Sequence, residues 1–306
     1  MKRIGALFVL VATVSVGCGE YNREAVDSNN QGMGFLRGNR YQDAREKFQR
    51  AAAEDPRYHL PLYNLALSYV RQREWSHAID ALDRAITRAP HNAEYHFQRG
   101  NAHYQIATTP PPANAAPADS SESGAHLEEA RTSFRNAIRD SSSMYMAQFR
   151  LGQVSELLDD QQAALQAYTD CLRVAPRWYA AYARLGRIYQ RNRLHEQAQQ
   201  VLREGLRIAP AGVPERGGMH NQLGLVLLDQ HQALPATEEF LAASREDPQM
   251  VQALFSLGMT FAEMPDKRQQ AILYLQQFVQ SRGGEAGADY ITMATAKLGE
   301  LQSAGN

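Results

Sequence analysis

Small and large apolar residues recur along this chain at spacings of three, four and seven, which place side chains on one face of an α-helix. The pattern also repeats over a longer interval. Pro56 and Pro90 are 34 residues apart, as are Pro176 and Pro210, and each follows an Ala- and Leu-rich stretch. A helix generally does not continue through proline, so each proline marks the turn into a next repeat. The sequence therefore predicts a series of helix pairs.

Seven repeats align on a common set of positions. The first carries Gly32, Ala44, Phe48 and Pro56, and equivalent small, large and turn positions recur downstream. Small residues are expected to let the two helices of a pair approach closely, and large residues to fill the spaces between neighbours. One pair cannot bury its apolar face alone, so stability comes from the interfaces along the stack. The predicted repeats span about residues 25–58, 59–92, 93–144, 145–178, 179–212, 217–250 and 251–284.

This pattern resembles the tetratricopeptide repeat (TPR) family, whose repeat of 34 residues carries Trp or Leu, Leu-Gly and Tyr, then Ala, Phe, Ala and Pro. The resemblance covers about residues 25–283. It implies an all-α fold, a right-handed α-solenoid superhelix of about seven helix-turn-helix repeats. The last repeat needs a cap, and an apolar stripe predicts a capping helix over residues 285–303. That stripe consists of Tyr290, Ile291, Ala294, Leu298 and Leu301.

Residues 108–124 interrupt the third repeat between its two helices. The segment is rich in Pro, Ala and Ser and contains no large apolar residue. Such a composition cannot bury enough surface to fold, so we predict a disordered insertion there. It is either a tolerated surface insertion or a flexible contact arm.

The first twenty residues have the pattern of an export signal. A basic start at Lys2 and Arg3 precedes an apolar run that ends at Val16 and is followed by Gly17-Cys18. The run is too short to span a bilayer comfortably, and the small residues at its end describe a secretory signal. An ordinary signal peptide with an incidental cysteine remains an alternative.

Cysteine directly after glycine is similar to the lipobox of bacterial lipoproteins. The resemblance implies removal of a signal peptide at residues 1–17, lipidation of Cys18 and a short tether over residues 18–24. Several acyl chains would anchor the protein almost permanently. Gly19, where Asp would retain enteric lipoproteins, implies export to the periplasmic face of the outer membrane.

Composition and motifs exclude several classes of function. The 32 basic and 33 acidic residues give a net charge of -1, so bulk attraction to nucleic acid is not expected. Lipidation of Cys18 would leave Cys171 as the one cysteine with a free thiol. Cys171 occupies a position where the other repeats have a small residue, so we expect a buried structural thiol. His96 and His103 share one predicted helix at packing positions, and a metal site would need further ligands. No catalytic motif occurs, so the sequence predicts no enzyme, cofactor or metal.

In the TPR family the concave face is lined by residues of each first helix. Arg150, Arg184 and Arg187 are expected to cluster across the fourth and fifth repeats, and Tyr63, Phe97 and Phe149 to lie beside one another. Aromatic anchors next to arginine forks suit an extended peptide with acidic or C-terminal carboxylate groups. Alternatively, the arginines only solvate the groove. The residues that the resemblance assigns to this groove are Tyr63, Asn64, Arg71, Phe97, Asn101, Phe149, Arg150, Arg184, Arg187 and Arg191.

The sequence therefore predicts a membrane-anchored scaffold or adaptor that binds partner proteins or peptides in its groove during cell-envelope assembly. Two narrower alternatives are a pilotin-like lipoprotein of type IV pilus or secretin assembly and an adaptor of a peptidoglycan hydrolase. A repeat array attached to an enzyme is disfavoured, because the repeats and the cap use nearly the whole chain. Self-assembly is a further class, in which array ends stack into a homodimer. Architecture by itself does not identify the partner.

Overall fold

The computed structural model describes residues 21–110, 120–281 and 287–303. Helices account for 81% of these residues, which form fifteen α-helices and one short 3-10 helix and include no β-strand. The predicted all-α solenoid fold is confirmed. The chain divides into two compact units, an N-terminal unit that ends at Tyr95 and a C-terminal unit that begins at His96.

The N-terminal unit contains two complete helix pairs. The boundary between the units falls inside α5, the first helix of the third pair, which spans Ala93–Thr108. The first two pairs are α1 (Arg23–Arg37) with α2 (Tyr41–Glu54), and α3 (Leu60–Arg71) with α4 (Trp75–Arg88).

The C-terminal unit contains the remaining pairs and one further helix. Its helices are α6 (Ser120–Asp140), α7 (Tyr145–Leu157), α8 (Gln161–Val174), α9 (Tyr179–Arg191), α10 (His195–Ile208), α11 (Glu215–Asp229), α12 (Ala233–Glu246), α13 (Val251–Ala262), α14 (Arg268–Gln280) and α15 (Ala288–Ser303).

Within each pair, a small residue of the first helix faces a large residue of the second. A Cβ atom added at Gly32 would lie 2.6 Å from the Phe48 ring, and one added at Gly152 would lie 2.5 Å from the Tyr168 ring. Both rings are fully buried. The predicted role of the small residues is therefore confirmed, because any side chain there would push the two helices apart. The same contact joins Gly100 to Phe134, Gly186 to Leu202, Gly224 to Phe240 and Gly258 to Leu275.

Most turns between the two helices of a pair share one backbone geometry. Five of them close on a non-glycine residue with φ between 55° and 60°, in the left-handed region that L-residues enter at a cost of about 1 kcal/mol. Each follows the small residue by seven positions. The third pair has a longer connection at this place, and the seventh has the 3-10 helix Pro265–Lys267. The five residues are Asn39, Arg73, Asp159, Arg193 and His231.

The predicted capping helix corresponds to α15, which packs against α13 and α14. Ala294 is fully buried in a cluster with Leu275 and Phe278. Arg268 donates from Nε to the carbonyl oxygen of Leu301 at 2.7 Å, which holds the end of α15. Tyr290 is half exposed, so the packed side of the helix is narrower than the predicted stripe.

The predicted disordered insertion at 108–124 is too long at its C-terminal end. Helix α6 begins at Ser120, so residues 120–124 are helical. Serine and acidic residues favour the first turn of a helix, and Glu122 lies in that turn. The prediction from composition therefore assigned the first turn of α6 to a loop.

Several sequence predictions fall outside the described residues. These are the signal peptide, Cys18 and most of the insertion. No helix in the described part of the chain is both long and apolar enough to cross a membrane.

Candidate functional site

Three successive first helices of the C-terminal unit, α5, α7 and α9, line a cavity of about 340 Å³. A second cavity of about 610 Å³ shares two of its arginines and extends towards α11. We call the two cavities together the arginine cleft. The first is lined by Tyr104, Gln153, Glu156, Leu157, Arg184, Arg187 and Arg191. The second is lined by Arg187, Gln190, Arg191, Arg193, His195, Gln222, Leu225 and Asp229.

The arginines converge because of their spacing on α9. Arg184, Arg187 and Arg191 occur at intervals of three and four residues, so one helix face presents all three. Arg150, on α7, lines neither cavity, but its Nη1 donates at 3.0 Å to Oε1 of Gln153, which lines the first. The structure thus brings together Arg184 and Arg187 of the fifth repeat, whereas Arg150 of the fourth repeat lies outside both cavities.

Glu156 holds two of these arginines from inside the cleft. Its side chain is 13% exposed, and Oε2 accepts a hydrogen bond from Arg187 Nη2 at 2.7 Å. Arg184 Nη1 lies 3.5 Å from Oε1. The same Oε1 accepts a hydrogen bond from the Tyr168 hydroxyl at 2.5 Å. Burial, and then this bond, raise the pKa of Tyr168 above its ordinary value.

The cleft keeps an excess of positive charge. Four guanidinium groups and two carboxylates, Glu156 and Asp229, line its two cavities. Each guanidinium has five N–H donors, and Glu156 uses only a few of them. The Nε of Arg187 is buried and has no hydrogen-bond partner among the described residues. The arrangement therefore suits anionic groups, above all carboxylates held in bidentate fashion.

Aromatic rings line the other half of α7. The Phe149 ring lies 5.4 Å from that of Tyr168 and 5.7 Å from that of Trp178, and Tyr145 lies 5.1 Å from Trp178. Tyr145, Trp178 and the turn before α9 line an apolar cavity of about 410 Å³, which we call the aromatic cavity. Helix α7 thus carries both an apolar site and part of the arginine cleft.

Two residues that the sequence assigns to the groove are buried instead. Phe97 is 7% exposed and packs on Phe134, the ring that faces Gly100, so it belongs to the core of its own pair. Asn64 is 5% exposed and donates from Nδ2 to Asn29 Oδ1 at 2.8 Å. Both predictions were wrong, because first-helix residues that face the second helix or the preceding first helix are covered by them.

The other predicted residues have separate environments. Tyr63 stacks on Tyr95 at 4.9 Å and donates to Glu94 Oε1 at 3.2 Å, and burial raises its pKa. Arg71 is exposed at the end of α3, and Asn101 is partly buried. The three aromatic residues of the predicted row have different ring partners. Tyr63 packs on Tyr95, Phe97 packs on Phe134, and Phe149 packs on Tyr168 and Trp178.

Sequence reasoning missed Glu156 and Tyr168, although a signal was present. The position four residues after the small residue is Leu36 in the first pair and Leu228 in the sixth. Among the seven pairs, only the fourth has an acidic residue there, and only the fourth has Tyr as its large residue. An acid and a hydroxyl that appear together at two packing positions indicate a hydrogen bond between them.

Models of the tetratricopeptide repeat match the chain at residues 35–97, 123–173 and 179–211. These segments coincide with helix pairs whose small and large residues face each other as described above. All three segments are therefore similar in sequence to tetratricopeptide repeats. Among proteins with curated descriptions, none matches this chain significantly in sequence.

Solved TPR structures have the same fold. YrrB, described as a TPR protein with an unusual peptide-binding site, has a TM-score of 0.53 at 17% identity, over 68% of this chain and 95% of its own. PilF of Pseudomonas aeruginosa has a TM-score of 0.55 at 15% identity, over 75% and 95%. PilW, a type IV pilus biogenesis factor, has a TM-score of 0.52 at 16% identity, over 76% and 97%. At these identities the likeness establishes the fold only.

Proposed function

We propose that this protein is a TPR interaction scaffold that binds an extended segment of a partner protein in its arginine cleft. One observation carries the proposal. Helix α9 and the turn after it bring four guanidinium groups to the cleft, whereas α7 and α11 bring only two carboxylates, which leaves donors for a ligand. TPR proteins are a family of interaction scaffolds, which supports binding over catalysis.

The chemistry of the cleft indicates a peptide with acidic side chains or a C-terminal carboxylate. Carboxylates match the planar fork of arginine, and rings that are already packed anchor an apolar side chain at little entropic cost. The aromatic cavity includes Tyr145, which lies on the same helix as Glu156, and it fits an apolar anchor of the same peptide. A mixed acidic and apolar segment is therefore the proposed ligand.

The proposal includes a membrane anchor. The apolar run before Gly17-Cys18 supports export and lipidation of Cys18, at the periplasmic face of the outer membrane. Mass spectrometry of the protein from its native membrane tests this, since an unmodified Cys18 or an uncleaved signal would contradict it. Mislocalised secretin multimers in a deletion strain would favour the pilotin-like role, and co-purification of a hydrolase would favour the adaptor role.

Fluorescence anisotropy with two labelled peptides tests the cleft. The acidic probe is Gly-Ser-Phe-Gly-Asp-Glu-Asp with a free C-terminus, and its neutral match is Gly-Ser-Phe-Gly-Asn-Gln-Asn amide. We expect the acidic probe to bind more tightly. The substitution Arg191→Gln, at a residue that lines both cavities, leaves both ion pairs of Glu156 intact and should weaken that binding by about tenfold.

Arg203→Gln is the matched control. Arg203 is exposed on α10, a second helix, and lines neither cavity of the cleft. This variant should bind the acidic probe like the wild type. Equal affinity for the acidic and neutral probes, or an equal loss in the control, would reject the proposal. Crosslinking and pull-down of the native protein would then identify the partner.

A further inference from the structure

We infer that Glu156 is a positioning and selectivity-determining residue of the arginine cleft. It is an internal carboxylate that fixes two guanidinium groups and opposes the negative charge of an incoming ligand. This inference rests on the proposed function of the cleft, and it adds a residue that limits how tightly an acidic ligand can bind.

Glu156 occupies a position that packing does not require to be acidic. The first pair has Leu36 opposite Phe48 at the equivalent positions, and the sixth has Leu228 opposite Phe240. A carboxylate in so enclosed a place is unfavourable unless it is paired and hydrogen-bonded. The fully buried Tyr168 supplies the hydrogen bond from the core side, and Arg184 and Arg187 supply the charge from the cleft side. Glu156 is therefore held between the core and the cleft.

The two arginines keep an open side for a ligand. Their side chains are 36% and 37% exposed, although each has an Nη atom turned towards Glu156. A ligand carboxylate that binds the open side lies across one guanidinium from Glu156, at a distance of about 6 Å. The two carboxylates would then share the same pair of positive charges.

Two effects of Glu156 on an acidic ligand oppose each other. Holding an arginine side chain in place favours binding by a factor of about two to ten. Repulsion between two carboxylates about 6 Å apart, at an effective dielectric constant of about 20, disfavours binding by about a hundredfold before salt screening. Repulsion is the larger effect, so removal of the charge should tighten binding.

The variant Glu156→Gln tests this with the two probes described above. Its amide oxygen still accepts the Tyr168 hydrogen bond, and its size is almost unchanged. We expect the acidic probe to bind about tenfold more tightly than to the wild type, with unchanged affinity for the neutral probe. Glu204→Gln is the control, because Glu204 pairs with Arg207 on the exposed face of α10 and changes the net charge equally.

A second variant covers the case in which Glu156→Gln does not fold. The double substitution Glu156→Leu and Tyr168→Phe recreates the combination found in the first and sixth pairs. Removing both partners leaves no unpaired hydroxyl or carboxylate in the core, and the partly exposed Arg184 and Arg187 can be solvated, so this core should fold. It should also bind the acidic probe more tightly than the wild type, but less tightly than Glu156→Gln, because Arg184 and Arg187 lose their support.

The outcomes separate the two proposals. Wild-type preference for the acidic probe, combined with unchanged or weaker binding in folded Glu156 variants, overturns the role of Glu156 and leaves the proposed function standing. No preference for the acidic probe in either the wild type or the Glu156 variants overturns both. Tighter binding in Glu204→Gln as well would show that only the net charge matters, which also overturns the inference.

Discussion

Two glycines of one helix offer a direct test of how the helix pairs are held together. Gly32 and Gly34 both lie in α1, two residues apart. A Cβ atom at Gly32 would lie 2.6 Å and 2.7 Å from two ring atoms of Phe48, and 3.2 Å from the carbonyl oxygen of Ala44. A Cβ atom at Gly34 would meet nothing within 4 Å. Alanine at the two positions therefore differs mainly in what the added methyl group contacts.

The expected magnitudes follow from these contacts. Replacing glycine by alanine inside a helix stabilises it by about 0.5–1 kcal/mol. This gain in stability applies to both positions, and it is the whole effect expected for Gly34→Ala, because the added methyl group there makes no contact. At Gly32 the methyl group enters a packed contact with the fully buried Phe48, and such overpacking costs about 1–3 kcal/mol. Gly32→Ala should therefore be less stable than Gly34→Ala by about 1–3 kcal/mol, because the helix gain cancels.

Hydrogen exchange of the α1 and α2 amides measures this difference locally. A local readout is needed because repeat arrays need not unfold in one step. We expect faster exchange in Gly32→Ala and slower exchange in Gly34→Ala than in the wild type. Equal protection in the two variants would refute the claim that the Gly32 contact sets the spacing of the pair. Urea unfolding followed by circular dichroism should order the variants in the same way.

Three further predictions concern single residues. Arg73→Gly should stabilise the chain against urea by about 0.5 kcal/mol, because glycine adopts the left-handed turn without strain, and Arg73→Val should destabilise it. Burial raises the pKa of the Cys171 thiol to about 12, so in a Cys18→Ser chain Ellman's reagent at pH 8 should react only after unfolding in guanidinium, and prompt labelling of that native chain would contradict this. Backbone N–H groups of Asn22 and Arg57 hold the pKa of Asp55 below its ordinary value, so its contribution to stability is present above about pH 4 and is lost as the pH falls through the folded pKa. Asp55→Asn should remove this part of the acid dependence, measured by urea unfolding between about pH 5 and pH 2.

The fold could be predicted because its signal is repeated. The contact between a glycine and a large residue sixteen positions later in most pairs is local in sequence, so spacing is enough to reveal it. The capping helix α15 could also be predicted, because a helix with one apolar side and one polar side can cover the last repeat and face solvent. The start of α6 could not, because Ser120 and its neighbours suit both a loop and a first helical turn.

The candidate site could be predicted only in part. Arg184 and Arg187 lie at first-helix positions, and the structure brings them together. Phe97 lies at a similar position, yet its ring turns towards Phe134. The helical periodicity gives only the approximate direction of each side chain around the helix axis. Whether a residue at the edge of the groove-facing side is exposed or buried therefore depends on the neighbouring helix. Glu156 was missed because its partner Tyr168 lies on another helix.

The left-handed turns have a consequence for protein engineering. In the third pair, residues 109–119 replace the short connection that ends the first helices elsewhere, and the contact between Gly100 and Phe134 is still formed. Lengthening a surface connection adds little closing entropy. The turn around Asn39 connects its helices at the equivalent place and is exposed. An epitope or a fluorescent reporter spliced into that turn should leave the helical stack intact and allow the protein to be followed in the cell without modifying either chain end.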